Sequence, residues 1–107
     1  MSTERLSVRE ALDLVRHCLE EGAIIQGAHF RKALADEAID FEDAWAVLET
    51  GRIYDAPEVD VRTRDWKYRI EGYEPGGKWM AIVFTFKVLR GVFLITIFSI
   101  EARRRPT

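Results

Sequence analysis

Proton transfer near neutral pH and the holding of anions are the two kinds of chemistry this chain's side chains offer. His17 and His29 are its two imidazoles, and imidazole is the group whose unperturbed titration falls in that range. Lys67, Arg69 and Lys87 are cations able to meet phosphate oxygens, while Trp79 and Phe98 offer ring faces on which bases stack. Metal chemistry finds no donor set, because Cys18 follows His17 directly and His29 stands by itself. Gly76-Gly77 is a turn signal rather than a phosphate-binding loop, and no nucleophile elbow is present. No cofactor is therefore expected.

Other groups have plainer readings. His17 belongs to the polar side of a first helix, near Asp13 and Glu20, and Cys18 reads as a structural thiol. Arg62, Arg64, Lys67 and Arg69 alternate with Asp60 and Asp65 in a mixed charge run, the usual sign of a solvated face. Arg103, Arg104 and Arg105 make a basic end to the chain.

The elements that must position these groups follow from spacing. Ser7-Val-Arg-Glu10 is a capping box, after which Val8, Leu12, Val15 and Leu19 recur at helical intervals. Gly22 then ends a helix running from Val8 to Glu21. Residues 23–27 form a short apolar connector, with an extended conformation as one reading, and a weaker helix is predicted over 28–37. Asp40-Phe-Glu-Asp43 is a second capping signal, opening a helix that carries Ala44, Val47 and Leu48 and stops at Gly51. Beyond Arg52 the pattern is β. Ile53 and Tyr54 predict a short strand, with a polar loop around Ala56-Pro57-Glu58. Trp66, Tyr68 and Ile70 alternate with Lys67, Arg69 and Glu71, and two strongly apolar strands follow over 79–88 and 92–100. The expectation is a single α+β domain over 1–107, with N-terminal helices packed on one face of a three- to four-stranded antiparallel sheet.

Register decides which side chains share a face. A three-residue loop at Pro75-Gly76-Gly77 sets Glu74 opposite Lys78, Ile70 opposite Ile82 and Tyr68 opposite Phe84. A hairpin at Arg90-Gly91 would pair Phe86 with Ile95 and Phe84 with Ile97. One face then gathers Trp66, Tyr68, Ile70, Met80, Ile82, Phe84, Phe86, Phe93, Ile95 and Ile97 as the core. The opposite face gathers Lys67, Arg69, Ala81, Val83, Thr85, Lys87, Leu94, Thr96, Phe98 and Ile100, with Trp79 at its margin. Such a face has three readings: a surface covered by a loop or terminus, a protein-binding patch, or a nucleic-acid platform.

Composition bounds the choice. With 16 basic and 18 acidic residues and a net charge of -2, binding of nucleic acid by bulk charge is excluded, though a local patch is not. A polar N-terminus, one cysteine and no apolar run of membrane-spanning length predict a cytoplasmic protein without a membrane partner.

Four segments, in order, resemble the domain of unknown function 4258 family. They are Ala-His29-Phe-Arg-Lys, Ile39-Asp-Phe-Glu-Asp-Ala-Trp-Ala-Val-Leu-Glu-Thr-Gly51, Tyr68-Arg-Ile-Glu-Gly72 and Phe93-Leu-Ile-Thr-Ile-Phe98, within residues 27–100. That family is grouped with the RelE/ParE-like bacterial toxins, including the MqsR type. The resemblance implies a RelE-like fold and a toxin of a toxin–antitoxin pair that binds or cleaves RNA. It implies His29 as an acid/base, Lys32 one turn later as a contact, and Arg69 as the cation facing developing charge; the sheet register adds Lys67, Lys87, Trp79 and Phe98 as contacts to RNA or partner. The partner would be an antitoxin protein, or a second copy of the chain, held on the second sheet face. The alternative is a non-catalytic interaction or oligomerisation domain using that same face.

Overall fold

The computed structural model of the chain describes residues 4–87 and 91–100. Its elements run α1 (Val8–Glu21), β1 (Ile24–Gln26), α2 (Ala28–Asp36), α3 (Phe41–Thr50), β2 (Glu58–Val59), β3 (Trp66–Tyr73), β4 (Trp79–Lys87) and β5 (Gly91–Ser99). Both capping boxes form. Ser7 accepts from the Glu10 amide at 3.1 Å and Glu10 returns to the Ser7 amide at 2.9 Å, while Asp40 and Asp43 repeat the exchange at 3.0 and 3.1 Å. These bonds satisfy amides that a helix start leaves without partners. Gly22 closes α1 in the left-handed region, with φ 70°.

The sheet has five strands in the order β1-β5-β4-β3-β2 and is mixed. This corrects the expected three to four antiparallel strands. The connector at 23–27 supplies the extra one, because β1 pairs with β5 in parallel, Ile25 beside Phe93. The two are parallel because the intervening helices and strands carry the chain back before β5 begins. The short strand predicted at Ile53 and Tyr54 is also displaced. Arg52 makes only an isolated bridge to Glu71, and the edge strand β2 forms at Glu58–Val59, where a loop was expected.

Tyr68 faces Phe84 and Ile70 faces Ile82, as the turn at 75–77 predicts. The β4–β5 register differs from expectation. Ile82 faces Ile97 and Val83 faces Thr96, but Phe84 then faces Leu94, and Phe86 faces Val92. Ile95 is the additional residue of a β-bulge, and one extra residue reverses the parity of everything before it. Leu94 and Val92 therefore enter the core, both at 0% exposure, and Phe93 leaves it for the second face. The Val88-Leu89-Arg90 part of this hairpin and Arg103–Arg105 lie outside the described residues.

The core lies between the helices and one sheet face. Val15, Phe30, Val47 and Leu48 meet Tyr68, Ile70, Ile82, Phe84, Leu94 and Ile97, all buried. Tyr68, Phe84 and Phe86 form a tight ring group, Tyr68 lying 5.6 Å from Phe84 and 5.4 Å from Phe86, and Tyr68 uses its hydroxyl to accept from the Leu6 amide at 2.9 Å. Cys18 is buried in the same cluster, and burial pushes its thiol pKa up.

Glu74 and Lys78 do not pair through their side chains as a cross-strand couple. The Glu74 carboxylate folds over the turn and accepts from the Gly76 and Lys78 amides at 2.8 and 2.7 Å. Lys78 Nζ reaches α2 instead, donating to the Glu37 carbonyl at 2.7 Å. The two amide donors hold the Glu74 carboxyl below its ordinary value. A depressed carboxylate contributes stability above its unfolded pKa and loses it as pH falls through the folded one. Glu74→Gln is therefore expected to be less stable than the parent at pH 7, with the difference closing on acidification through the carboxylate range, as followed by urea denaturation.

The joint between α3 and β3 is equally constrained. An added Cβ at Gly51 would stand 2.5 Å from the Val47 carbonyl oxygen and 2.7 Å from that of Glu71. Gly51→Ala is expected to destabilise the fold by about 1–3 kcal/mol. A lowered urea midpoint with an unchanged slope is the expected result.

Candidate functional site

Alternation along β3 sends Tyr68 and Ile70 into the core, and so sends Lys67, Arg69 and Glu71 to the second face. Beside them on β4 lie Ala81, Val83, Thr85 and Lys87, in register with β3 through the pairs Arg69–Val83 and Glu71–Ala81. Phe98 follows on β5 opposite Ala81, half-buried.

Every basic residue expected on this face meets a carboxylate. Lys67 Nζ lies 3.6 Å from Asp60, and Lys87 Nζ lies 3.0 Å from Asp65. Arg69 has two such partners, Asp55 at 3.0 Å through Nη2 and Glu71 at 3.1 Å through Nε. The mixed charge run thus closes on itself across strands. Asp60 is held by the turn it starts, since its carboxylate accepts from the Arg62 and Thr63 amides at 2.9 and 3.3 Å. Those amides hold its pKa below the ordinary value, with Lys67 and Arg62 adding to the effect.

Glu71 is the unusual member. Its residue is 1% exposed, and its second oxygen accepts from the indole of Trp79 at 3.1 Å. Trp79, at the start of β4, is itself buried, because Tyr73 packs edge-on against it at 4.7 Å and Tyr54 lies 6.3 Å away. The stretch 53–57 therefore covers one end of the second face. That burial removes Trp79 as an exposed stacking platform.

Beside this cover lies an open cleft of about 230 Å³, lined by Asp55, Ala56, Glu58, Lys67, Arg69 and Val83. The structure brings Lys67 and Arg69 together there. Lys87 stands further along, its ammonium 5.6 Å from the centroid of Phe93. His29 is elsewhere, exposed in the first turn of α2, and is not among the residues lining the cleft. Lys32, one turn on, pairs with Asp36 at 3.1 Å on the exposed side of that helix.

Sequence reasoning missed Phe93 because the bulge that turns it outward has no signature in the residue pattern. It missed Asp55 and Glu71 as partners of Arg69. A signal for Glu71 existed, since it shares parity with Lys67 and Arg69 on one strand, but nothing local announced its burial. Among the described residues no group of three or more His, Cys, Asp or Glu is placed to hold a metal ion, and no helix is long and apolar enough to cross a membrane.

Fold and cleft together define an α+β domain with helices on one side of a mixed sheet and a charge-paired cleft on the other. The chain belongs to the domain of unknown function 4258 family, whose sequence model matches residues 27–99. That span takes in everything from the start of α2 to the end of β5, and so includes the cleft. Searches of curated proteins and of solved structures found no match.

Removing the guanidinium would leave the Glu71 carboxylate buried without its cation. Arg69→Ala is accordingly expected to destabilise the domain by about 3–5 kcal/mol. Asp55→Ala removes the exposed partner of Arg69, expected to matter by about 1 kcal/mol or less. Equal effects in thermal or urea denaturation would refute this ranking.

Proposed function

We propose that this domain is the toxin-like member of a toxin–antitoxin pair, acting in the cytoplasm on RNA through the cleft at Lys67 and Arg69. The antitoxin would cover the same sheet face. The observation that carries the reading is the convergence of two β3 cations on an open cleft, one of them a guanidinium held by a buried carboxylate. The likeness of the family's motifs to RelE/ParE-like toxins supports it.

The chemistry needed is modest. Binding of a single strand requires donors for phosphate oxygens, and a guanidinium matches them in charge and planar geometry. Cleavage further requires a base for the 2′-hydroxyl, charge stabilisation at phosphorus and an acid for the 5′-oxygen. Arg69 fits the second role. His29 is the resemblance's candidate for proton transfer, and it lies on α2, away from the cleft lining, so RNA binding does not depend on its role in cleavage.

A second reading is a non-catalytic interaction or oligomerisation domain. It is favoured by the pairing of Lys67, Arg69 and Lys87 with carboxylates, and by half-buried Ile25, Phe93, Ile95 and Phe98. Such a face suits a protein partner or a second copy of the chain.

Overexpression in bacteria separates the two. The RNA reading expects growth arrest and RNA cleavage or binding, both weakened by Arg69→Lys, which keeps the charge but loses the fork, and by Lys67→Gln. Loss of Lys67 should also reduce the salt slope of single-strand RNA binding by about 0.7. His29→Ala should relieve arrest only if cleavage is the cause. Normal growth, with RNA intact and unbound in the presence and absence of ribosomes, overturns the RNA reading. A dimer in light scattering that Phe98→Asp dissociates would then favour the second.

A further inference from the structure

The two carboxylates on Arg69 differ in every respect that governs exchange. Glu71 is 1% exposed, and both its oxygens are engaged, one by Arg69 Nε at 3.1 Å and the other by Trp79 Nε1 at 3.1 Å. Withdrawing it would strand a buried carboxylate, so it stays. The Asp55 side chain is 54% exposed and reaches the guanidinium through Nη2 at 3.0 Å, from a bend rather than a helix or strand. Exposed pairs of this kind contribute little and exchange readily. The cleft in front of the guanidinium is open.

We propose that these carboxylates act on Arg69 with opposite effect: Glu71 is a positioning residue that aims the guanidinium into the cleft, and Asp55 is a built-in competitor that occupies the place of an incoming phosphodiester oxygen. Ligand binding then exchanges Asp55 for phosphate while Glu71 holds the other edge of the fork. The inference rests on the RNA-directed reading and adds a regulating contact to that site. The chemistry recognised is a phosphate monoanion presented by a single-stranded polymer, with Lys67 beside Arg69 meeting a neighbouring phosphate. Val83 on the cleft wall gives an apolar surface between the two strands. Both acceptors make charge-assisted bonds to a guanidinium, and the polymer displaces Asp55 because its successive phosphates engage Arg69 and Lys67 together.

The test compares Asp55→Asn and Glu71→Gln in the full chain. The Arg69 side-chain nitrogen resonance is followed by NMR during titration with inorganic phosphate and, separately, with a short single-stranded RNA. Each variant removes one negative charge from the neighbourhood, so a simple field effect tightens both. The proposal expects opposite signs: Asp55→Asn tightens binding by about threefold to tenfold and Glu71→Gln weakens it by a similar factor. RNA should bind more tightly than free phosphate, because Lys67 adds a second contact. A shift in the same direction for both variants overturns the positioning role. An unchanged affinity in Asp55→Asn overturns the competition. Failure of either probe to move the Arg69 resonance, in the parent and in Asp55→Asn alike, overturns the site. If Glu71→Gln does not fold, Glu71→Asp replaces it, keeping the charge while shortening the reach, and is expected to weaken binding. Opposite signs without any growth arrest on overexpression would leave the exchange standing and remove the toxin reading.

Discussion

A carboxylate taken out of water must be met on both oxygens, and Glu71 is where this fold meets that requirement. Its backbone joins Arg52 by two hydrogen bonds of 2.9 Å, and its side chain binds Arg69 and Trp79. Those contacts tie the end of α3, the strand β3 and the start of β4 to one point. The close approach of Gly51 to the Glu71 carbonyl comes from the same junction. Tyr54 and Asp55 reach Trp79 and Arg69 from the chain that leaves it, so the cover over the second face also depends on it. An apolar residue at 71 would remove the need for Arg69 to point where it does.

The consequence for function is electrostatic. A strand carrying Lys67 and Arg69 looks like a basic stripe when only β3 is considered. In the folded domain, Asp55, Asp60, Asp65 and Glu71 lie within ion-pair distance of the three face cations. A nearly neutral, partly apolar face suits a protein partner. A guanidinium with one removable and one fixed partner suits an anion. The acidic balance of the whole chain does not oppose an anion there, because salt largely screens exposed charges more than about 10 Å away.

Much of the fold was legible because its signals are local. The Ser7 and Asp40 capping boxes, the left-handed Gly22, the turn at 75–77 and the alternation of β3 act within a few residues, and they form as read. The three helices and the three long strands follow from them. The misreadings have one cause, namely pairing between strands, which the residues of one strand do not set alone. β1 becomes a strand only because β5 is there to pair with it in parallel. β2 forms at Glu58–Val59 because the bridge at Arg52 and the turn at 60–65 set the spacing along β3. The bulge at Ile95 reconciles two incompatible parities, core-facing Ile97 above it and core-facing Leu94 and Val92 below.

By itself, the sequence determined the three helices and the three long strands, the core face of β3 and β4, and the inventory of groups able to hold anions or exchange protons, because helix caps, turns and side-chain parity are short-range properties of the chain. It also carried the family, through four motifs spread over most of its length. Only the tertiary structure decided which of those groups share a site. It set Lys67 and Arg69 at one cleft, left His29 on the outside of α2, put Trp79 under two tyrosines and turned Phe93 outward. It also placed four carboxylates against the cations. The reason is that charge pairing and burial depend on distance in space: Asp55 meets Arg69 and Asp65 meets Lys87 only once the loop before β3 and the strand β4 have folded against β3.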